Sequence, residues 1–357
     1  MKTGILTFCN AYNLGGALQS FSLQKALEEL GVDAELIDYR CPAIEKMHKR
    51  RPVFQTGIGI KARGLNLMHN IVFRRRRRYY KNFQKMMRKS KQYTRETVSE
   101  TNSVYDLFIT GSDQVFNYKL TEGDSTYFLD FVEGKPKASY AASMGVYFPE
   151  RADEYKRYLS SFRYLSVREK STATILQTEL GISAELMPDP VFLHTAEEWK
   201  KLLGVRDGEH KDRYVLVYAL IEKKELYRIA RKVAAEKKLK VYAITKVLKP
   251  AGQADKLYRN VGPKEFIGLL ADAEYVVTNS FHGTAFSLIF EKQFTTLIPP
   301  NAPDRVKDLL SDMGLSDRAV TAEIESEPDS IRYDEVRKKM VDYADKGRDY
   351  LRVICDR

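Results

Sequence analysis

The stretch "VVTNSFHGTAFSLIF", residues 276–290, opens as a run that reads as a buried strand and closes as an apolar helix. At the hinge, Asn279-Ser280-Phe281-His282-Gly283-Thr284 places one of the chain's five histidines where strand hands over to helix. β-branched residues favour the first half, and the polar hinge supplies a helix start. A buried strand passing straight into a helix is the building unit of a parallel α/β layer.

Working outward, the same alternation recurs almost from end to end. "TGILTF" (3–8) reads as a strand and "GGALQSFSLQKALEELG" (15–31) as a helix. In that helix Ala17, Leu18, Phe21, Leu23, Ala26, Leu27 and Leu30 fall mostly on one side. "AELIDY" (34–39) follows as a strand, then a long basic insertion over about 41–100, then "YDLFIT" (105–110), "KASYAAS" (137–143) and "RYLSV" (163–167). The second half repeats the pattern with strands at 213–220, 240–244, 274–279 and 293–298, and helices at 222–238, 263–272, 283–291 and 303–313. "LMPDPVFLHTAEEW" (186–199) interrupts it, because Pro188 and Pro190 disfavour helix and central strand alike. The predicted fold is therefore α/β, two facing Rossmann-like domains with parallel sheets. The expected boundaries are 1–188 and 189–330, with a helix in 331–357 packing back on the first domain.

Composition limits the function classes. The 357 residues are 43% hydrophobic and 30% charged, the profile of a globular protein, and no run approaches a membrane span. The three cysteines, Cys9, Cys41 and Cys355, have no paired spacing, which argues against a disulfide frame or zinc site and favours a reducing, cytoplasmic setting. No metal site is expected. The net charge of +11 is matched by one segment: residues 74–95 hold 11 Lys or Arg and no Asp or Glu. A solvated basic helix accounts for that segment as well as an anionic partner does, whether membrane surface, lipid diphosphate or acidic polymer. Tyr79, Tyr80 and Phe83 offer stacking faces, but no nucleic-acid module surrounds them, so no nucleic acid is expected.

Ligands of open α/β sheets bind outside the carboxyl ends of the strands. The loops predicted there are "CNAYNLGG" (9–16), "GSDQVFN" (111–117), "REKS" (168–171), "IEKKE" (221–225), "TKVLK" (245–249) and "NSFHGT" (279–284). Gly15 and Gly16 open a helix and let backbone N–H groups approach an anion, or simply make a tight turn. Ser112 and Asp113 stand where a helix cap or a hydroxyl-orienting group belongs. Arg168 suits either an anion or its neighbour Glu169. Lys223 and Lys246 read as surface lysines, and Cys9 as a small buried side chain. His282 is the exception. A helix dipole disfavours a cation at this end, so a neutral acid or base beside a bound anion is the better reading.

"NAYNLGGALQSFSLQKAL" (10–27), "YDLFITGSDQVFN" (105–117), "YLSVRE" (164–169), "DPVFL" (189–193), "VGPKEFIGLLADAEYVVTNSFHGTAFSLIFEKQF" (261–294) and "DRVKDLLSDMGLSDR" (304–318) together resemble the polysaccharide pyruvyl transferase family. That resemblance implies a fold similar to the GT-B glycosyltransferases. It implies transfer of a pyruvyl group from phosphoenolpyruvate to sugar hydroxyls as a cyclic ketal, with no metal or organic cofactor. On this basis His282 becomes the acid or base, and Asp113 a second catalytic candidate. Arg168 and Arg305 become anion clamps, with Lys223 a weaker one. Asp113 and Asn117 would orient acceptor hydroxyls. Asn13, Gly15, Gly16, Ser112, Ser280, Gly283 and Thr284 would line the substrate site. Phe116 departs from the tryptophan common in the family and is expected to alter a wall of the site. The basic insertion resembles a variable region whose role does not transfer.

The expected partners are phosphoenolpyruvate and a sugar or lipid-linked glycan acceptor, with peripheral contact at the inner membrane face through residues 74–95. Two other readings remain open. One is a glycosyltransferase using a nucleotide-sugar donor, since fold does not settle function. The other is a non-catalytic basic protein that binds polymer or membrane.

Overall fold

The computed structural model describes residues 1–48, 51–54, 59–298, 305–322 and 329–356. Five strands form the first sheet: β1 (Lys2–Leu6), β2 (Asp33–Tyr39), β3 (Lys89–Tyr93), β4 (Leu107–Thr110) and β5 (Lys137–Ser139). Their order is β3-β2-β1-β4-β5, every pairing parallel. A short pair, β6 (Ser166–Val167) and β7 (Glu185–Leu186), continues beside it. Six strands form the second sheet: β8 (Tyr214–Tyr218), β9 (Lys240–Ile244), β10 (Lys256–Tyr258), β11 (Tyr275–Thr278), β12 (Gln293–Leu297) and β13 (Ala319–Val320). Their order, β10-β9-β8-β11-β12-β13, repeats the first and is again all parallel. These are the two Rossmann-like halves that the alternation predicted.

Helices cover both faces of such a sheet, so its central strands are apolar throughout rather than alternating. "LFIT", "YVLVY" and "YVVT" are buried at every residue. The edge strands β3 and β10, "KSKQY" and "KLY", carry no such signal. Short lysine-bearing edges resist pairing with another chain, and the same polarity hides them in the sequence.

Three apolar clusters fill the molecule. One lies on the far face of the first sheet around Phe108, Phe128 and Tyr155, and one on the far face of the second around Val215, Ile229 and Tyr275. The largest is continuous between the halves, running from Ile5 and Leu18 through Trp199 to Tyr218 and Phe286. The first helix, Leu14–Glu29, passes through this shared core and is buried on nearly every side, not on one face as its spacing suggested. Its polar residues are buried because each finds a partner. Gln19 bonds Thr7 and the Ser112 N–H, Ser22 donates to Pro190 O, and Gln24 bonds both Arg88 backbone groups.

The terminal helix, Tyr333–Cys355, begins on the second half, where Arg337 pairs with Glu291. It ends on the first, where the Tyr350 hydroxyl donates to Ser139 O at 3.0 Å. The run 74–95 is not one helix: Arg74–Gln84 is helical, and the chain then enters β3. Nor is it simply solvated. Tyr80 and Phe83 are buried, and Phe83 packs on Phe21 with ring centroids 5.1 Å apart.

Candidate active site

In each sheet the strand order reverses next to its first strand, between β1 and β4 and between β8 and β11. A crevice opens at such a reversal, outside the strand ends. The loops after β1 and β4 carry Asn13, Gly15, Gly16, Ser112 and Asp113. The loops after β8 and β11 are tied together by Asn279, whose Oδ1 accepts from Leu220 N at 2.8 Å and whose Nδ2 donates to Ile221 O at 2.7 Å. The two crevices face one another.

The histidine helix, Phe281–Ile289, follows β11 after the N-cap residue Ser280, whose side chain makes no cap bond. The first N–H groups of a helix have no intrahelical acceptor, so this end presents unspent donors together with the positive pole of the helix. His282 projects from it across the crevice onto the first helix. A β-carbon built on Gly15 would lie 2.2 Å from His282 Nδ1, so only glycine leaves room for the ring. One built on Gly16 would lie 3.2 Å from Asp113 Oδ2. Consecutive glycines of one domain thus receive the two proton-transfer candidates, one from each domain.

Asp113 holds φ 68°, a left-handed conformation that aspartate tolerates better than most side chains. Its Oδ1 accepts from Gln114 N at 2.9 Å, which leaves Oδ2 toward the crevice. Asn13 caps the first helix by accepting from Gly16 N at 3.2 Å.

Beneath His282 lies a buried ionic group. Asp189, with a fully buried side chain, accepts from Arg168 Nη1 at 2.5 Å and faces His282 Nε2 at 3.6 Å, the separation of an ion pair rather than a hydrogen bond. Its Oδ1 accepts from Val191 N at 3.1 Å, and the Ser112 hydroxyl is 3.4 Å from Oδ2. Burial would raise the Asp189 pKa, but His282 and Arg168 outweigh it and hold the carboxyl well below its usual range. Arg168 is bound a second time by Glu169, 3.1 Å from Nε, and stacks over the Phe281 ring at 4.8 Å. Burial opposes its charge, while Glu169, Asp189 and Asp113 keep it on.

Arg305 differs from Arg168. It lies close enough to Arg168, Glu169, Asp113 and Asp189 to feel their charges, and burial followed by Arg168 lowers its pKa. Among the described residues it has no ion-pair partner. A half-buried cation with no ion-pair partner among the described residues, near an uncapped helix start, is an arrangement suited to an anion.

The family model described as "Polysaccharide pyruvyl transferase" matches residues 13–299, which includes the glycines, the aspartates and His282. The chain belongs to the polysaccharide pyruvyl transferase family. It is thus a member of a transferase family that acts in polysaccharide pyruvylation. No curated protein sequence matches it. Among solved structures it is similar to a UDP-GlcNAc 2-epimerase from Methanocaldococcus jannaschii (14% identity, 99% and 98% of the two chains, TM-score 0.49). It is similar also to a UDP-GlcNAc 2-epimerase from Neisseria meningitidis bound to UDP-GlcNAc (8%, 98% and 94%, TM-score 0.48). A third is the E. coli ADP-heptose lps heptosyltransferase II (12%, 99% and 98%, TM-score 0.41).

In this pyruvyl transferase family member the remaining site candidates separate from the crevice chemistry. Asn117 caps the short helix Tyr118–Thr121 through Lys119 N and donates to Gln114 Oε1, so its polar atoms are taken. Thr284 is fully buried, donating to Ser280 O and sharing a 2.9 Å contact with the Thr296 hydroxyl. Gly283 lies against Thr278 and Tyr218, where a β-carbon would come within 2.3 Å of Thr278 Oγ1. Lys223 is exposed and has no contact with the His282 group among the described residues. Phe116 is no wall of the site. It is completely buried and stacked on Phe128 at 4.7 Å, because its loop turns back into the far core of the first sheet. Cys9 is buried as expected, its thiol pushed up to about 12 by burial.

Three participants escaped the sequence reading. Asp189 carried a signal in "MPDP", an acid pinned between prolines ahead of an apolar run. Lys246 is half-buried, and that burial together with the nearby Arg76 pushes its pKa down to about 8. Arg76 itself comes from the basic helix. Its N–H bonds Asn260 of the second domain, and its Nη2 reaches Tyr12 O of the first at 2.8 Å. No cluster able to hold a metal ion occurs among the described residues.

Proposed function

We propose that the protein transfers a pyruvyl group from phosphoenolpyruvate to two hydroxyls of a sugar in a polysaccharide or its lipid-linked precursor, giving a ketal and inorganic phosphate. The observation that carries the reading is the meeting of His282 and Asp113 over Gly15 and Gly16, near an uncapped helix start and a half-buried Arg305 that has no ion-pair partner among the described residues.

The donor carries a phosphate and a carboxylate, which Arg305 and the first N–H groups of the histidine helix would receive. Arg168, already bound twice, acts through Asp189 instead of meeting the donor directly. A proton from the His282 ring goes to the methylene carbon as an acceptor hydroxyl adds to the central carbon. Asp189, 3.6 Å beneath Nε2, would orient the ring for that step. The second hydroxyl then displaces phosphate from the same carbon. Of the two protons the hydroxyls lose, one replaces that spent at the methylene and one leaves with the phosphate. Asp113 Oδ2 would take the first of them.

Calorimetric titration with phosphoenolpyruvate, beside a panel of nucleotide sugars, tests this without knowledge of the acceptor. Saturable phosphoenolpyruvate binding that weakens in Arg305→Gln is expected. Binding of a nucleotide sugar alone would instead place the protein with nucleotide-sugar glycosyltransferases.

A further inference from the structure

The helix Ile60–Val72 in the basic insertion has no buried residue. Ile60, Leu67, Met68 and Ile71 recur at the spacing of one helical face, and they are 88%, 50%, 46% and 56% exposed. The opposite, polar face is the attached one. Asn66 Nδ2 donates to Pro52 O at 2.8 Å, and Asn70 exchanges bonds with both Arg51 backbone groups. A helix of a globular protein normally turns its apolar stripe inward, and this one turns it outward. Phe54, 94% exposed, and Met47, 53% exposed, are further outward apolar side chains of the same insertion.

The segment's own charge has one sign, although Lys46, Arg88, Lys89, Lys91 and Arg95 pair with carboxylates from outside it. Residues 46–95 contain 17 Lys or Arg and no Asp or Glu. Of the arginine run, Arg76 is spent on the interdomain crevice and Arg77 sits over the Tyr12 ring, whereas Arg74, Arg75 and Arg78 are exposed. An outward apolar stripe flanked by cations matches the depth profile of a bilayer interface, with acyl chains under anionic headgroups. A second copy of this chain would bring an equally basic surface against it.

We propose that the helix Ile60–Val72 lies in the surface of an anionic lipid bilayer, its apolar stripe among the acyl chains and Arg74, Arg75 and Arg78 at the headgroups. The contact would hold the crevice beside the membrane, where a lipid-linked acceptor resides.

The test is co-sedimentation of the full chain with phosphatidylcholine vesicles, with or without phosphatidylglycerol. Binding that requires phosphatidylglycerol is expected. Replacing Arg74, Arg75 and Arg78 by Gln should weaken it by about a hundredfold, roughly fivefold for each arginine. The double variant Leu67→Ser, Ile71→Ser should lose most of the remaining, salt-resistant binding. Both sets lie on exposed positions, so thermal unfolding and phosphoenolpyruvate calorimetry should match the parent. Unchanged vesicle binding in the serine variant would overturn the proposal. So would loss of self-association in that variant by light scattering, which would assign the stripe to a second copy.

Discussion

His282 of one domain rests against Gly15 of the other, with Nδ1 2.2 Å from the place a side chain would begin. The contact makes the position of the imidazole depend on how the two domains close, and it makes the smallest residue in the first helix a determinant of the chemistry.

Gly15→Ala tests that dependence. Alanine is favoured over glycine inside a helix by about 1 kcal/mol, so the backbone should accept it. The methyl group must displace the His282 ring. Turnover is expected to fall by about 10²–10³-fold, within the range for loss of a general acid or base, while thermal unfolding stays near the parent. A double-mutant cycle with His282→Ala should be strongly non-additive, since the second change removes what the first had already moved.

His282→Gln keeps a polar side chain but cannot carry the proton. A loss of about 10²–10⁴-fold in turnover is expected, with phosphoenolpyruvate affinity changed far less. Near-parental turnover would remove His282 from the mechanism.

Asp189→Asn leaves buried Arg168 with Glu169 as its one remaining ion-pair partner among the described residues and Asp113 as a more distant counter-charge. Breaking a buried pair from one side costs about 3–5 kcal/mol, readable by denaturant unfolding. The pH dependence has a defined sign. Asp189 has a depressed folded pKa, so its stabilisation is fully present above the ordinary aspartate range of about 4 and is lost only as pH falls toward the lower folded value. Between pH 6 and 2 the parent should therefore lose more stability than Asp189→Asn does.

Lys246, with a pKa near 8, should be neutral and nucleophilic where ordinary lysines remain protonated. Amine acylation followed by peptide mapping should modify it ahead of exposed Lys223 at pH 8–9, and the difference should vanish as pH approaches the ordinary lysine value of 10.5. Arg76→Gln removes the neighbouring charge and should slow the reaction at pH 8. The depressed pKa also means that this lysine's contribution to stability rises, not falls, as pH passes upward through 8.

Much of this protein was determined by the sequence alone, because local physics does not depend on what lies opposite. Apolar runs such as "YVVT" and "YVLVY" demand burial on both faces, and polar turns following them start helices, so parallel layers and the loops at the strand ends were legible. His282 was legible for the same reason, as an imidazole where a helix pole disfavours its cation. Other outcomes depended on residues far apart in the chain. Phe116 lay in a loop that read as site wall, but Phe128 and Phe162 enclose it in the core. The first helix looked one-sided, because nothing local announces that Pro190 and Thr7 will satisfy its Ser22 and Gln19. Arg168 stood alone in its loop, and only the fold brings Asp189 of the interdomain crossover against it. The arginine run had one apparent role and divides into two, since only packing turns Arg76 into the crevice and leaves Arg74, Arg75 and Arg78 outside. Periodicity records which side chains must leave water. Which partner receives each of them is decided by the closing of two domains around one shared core.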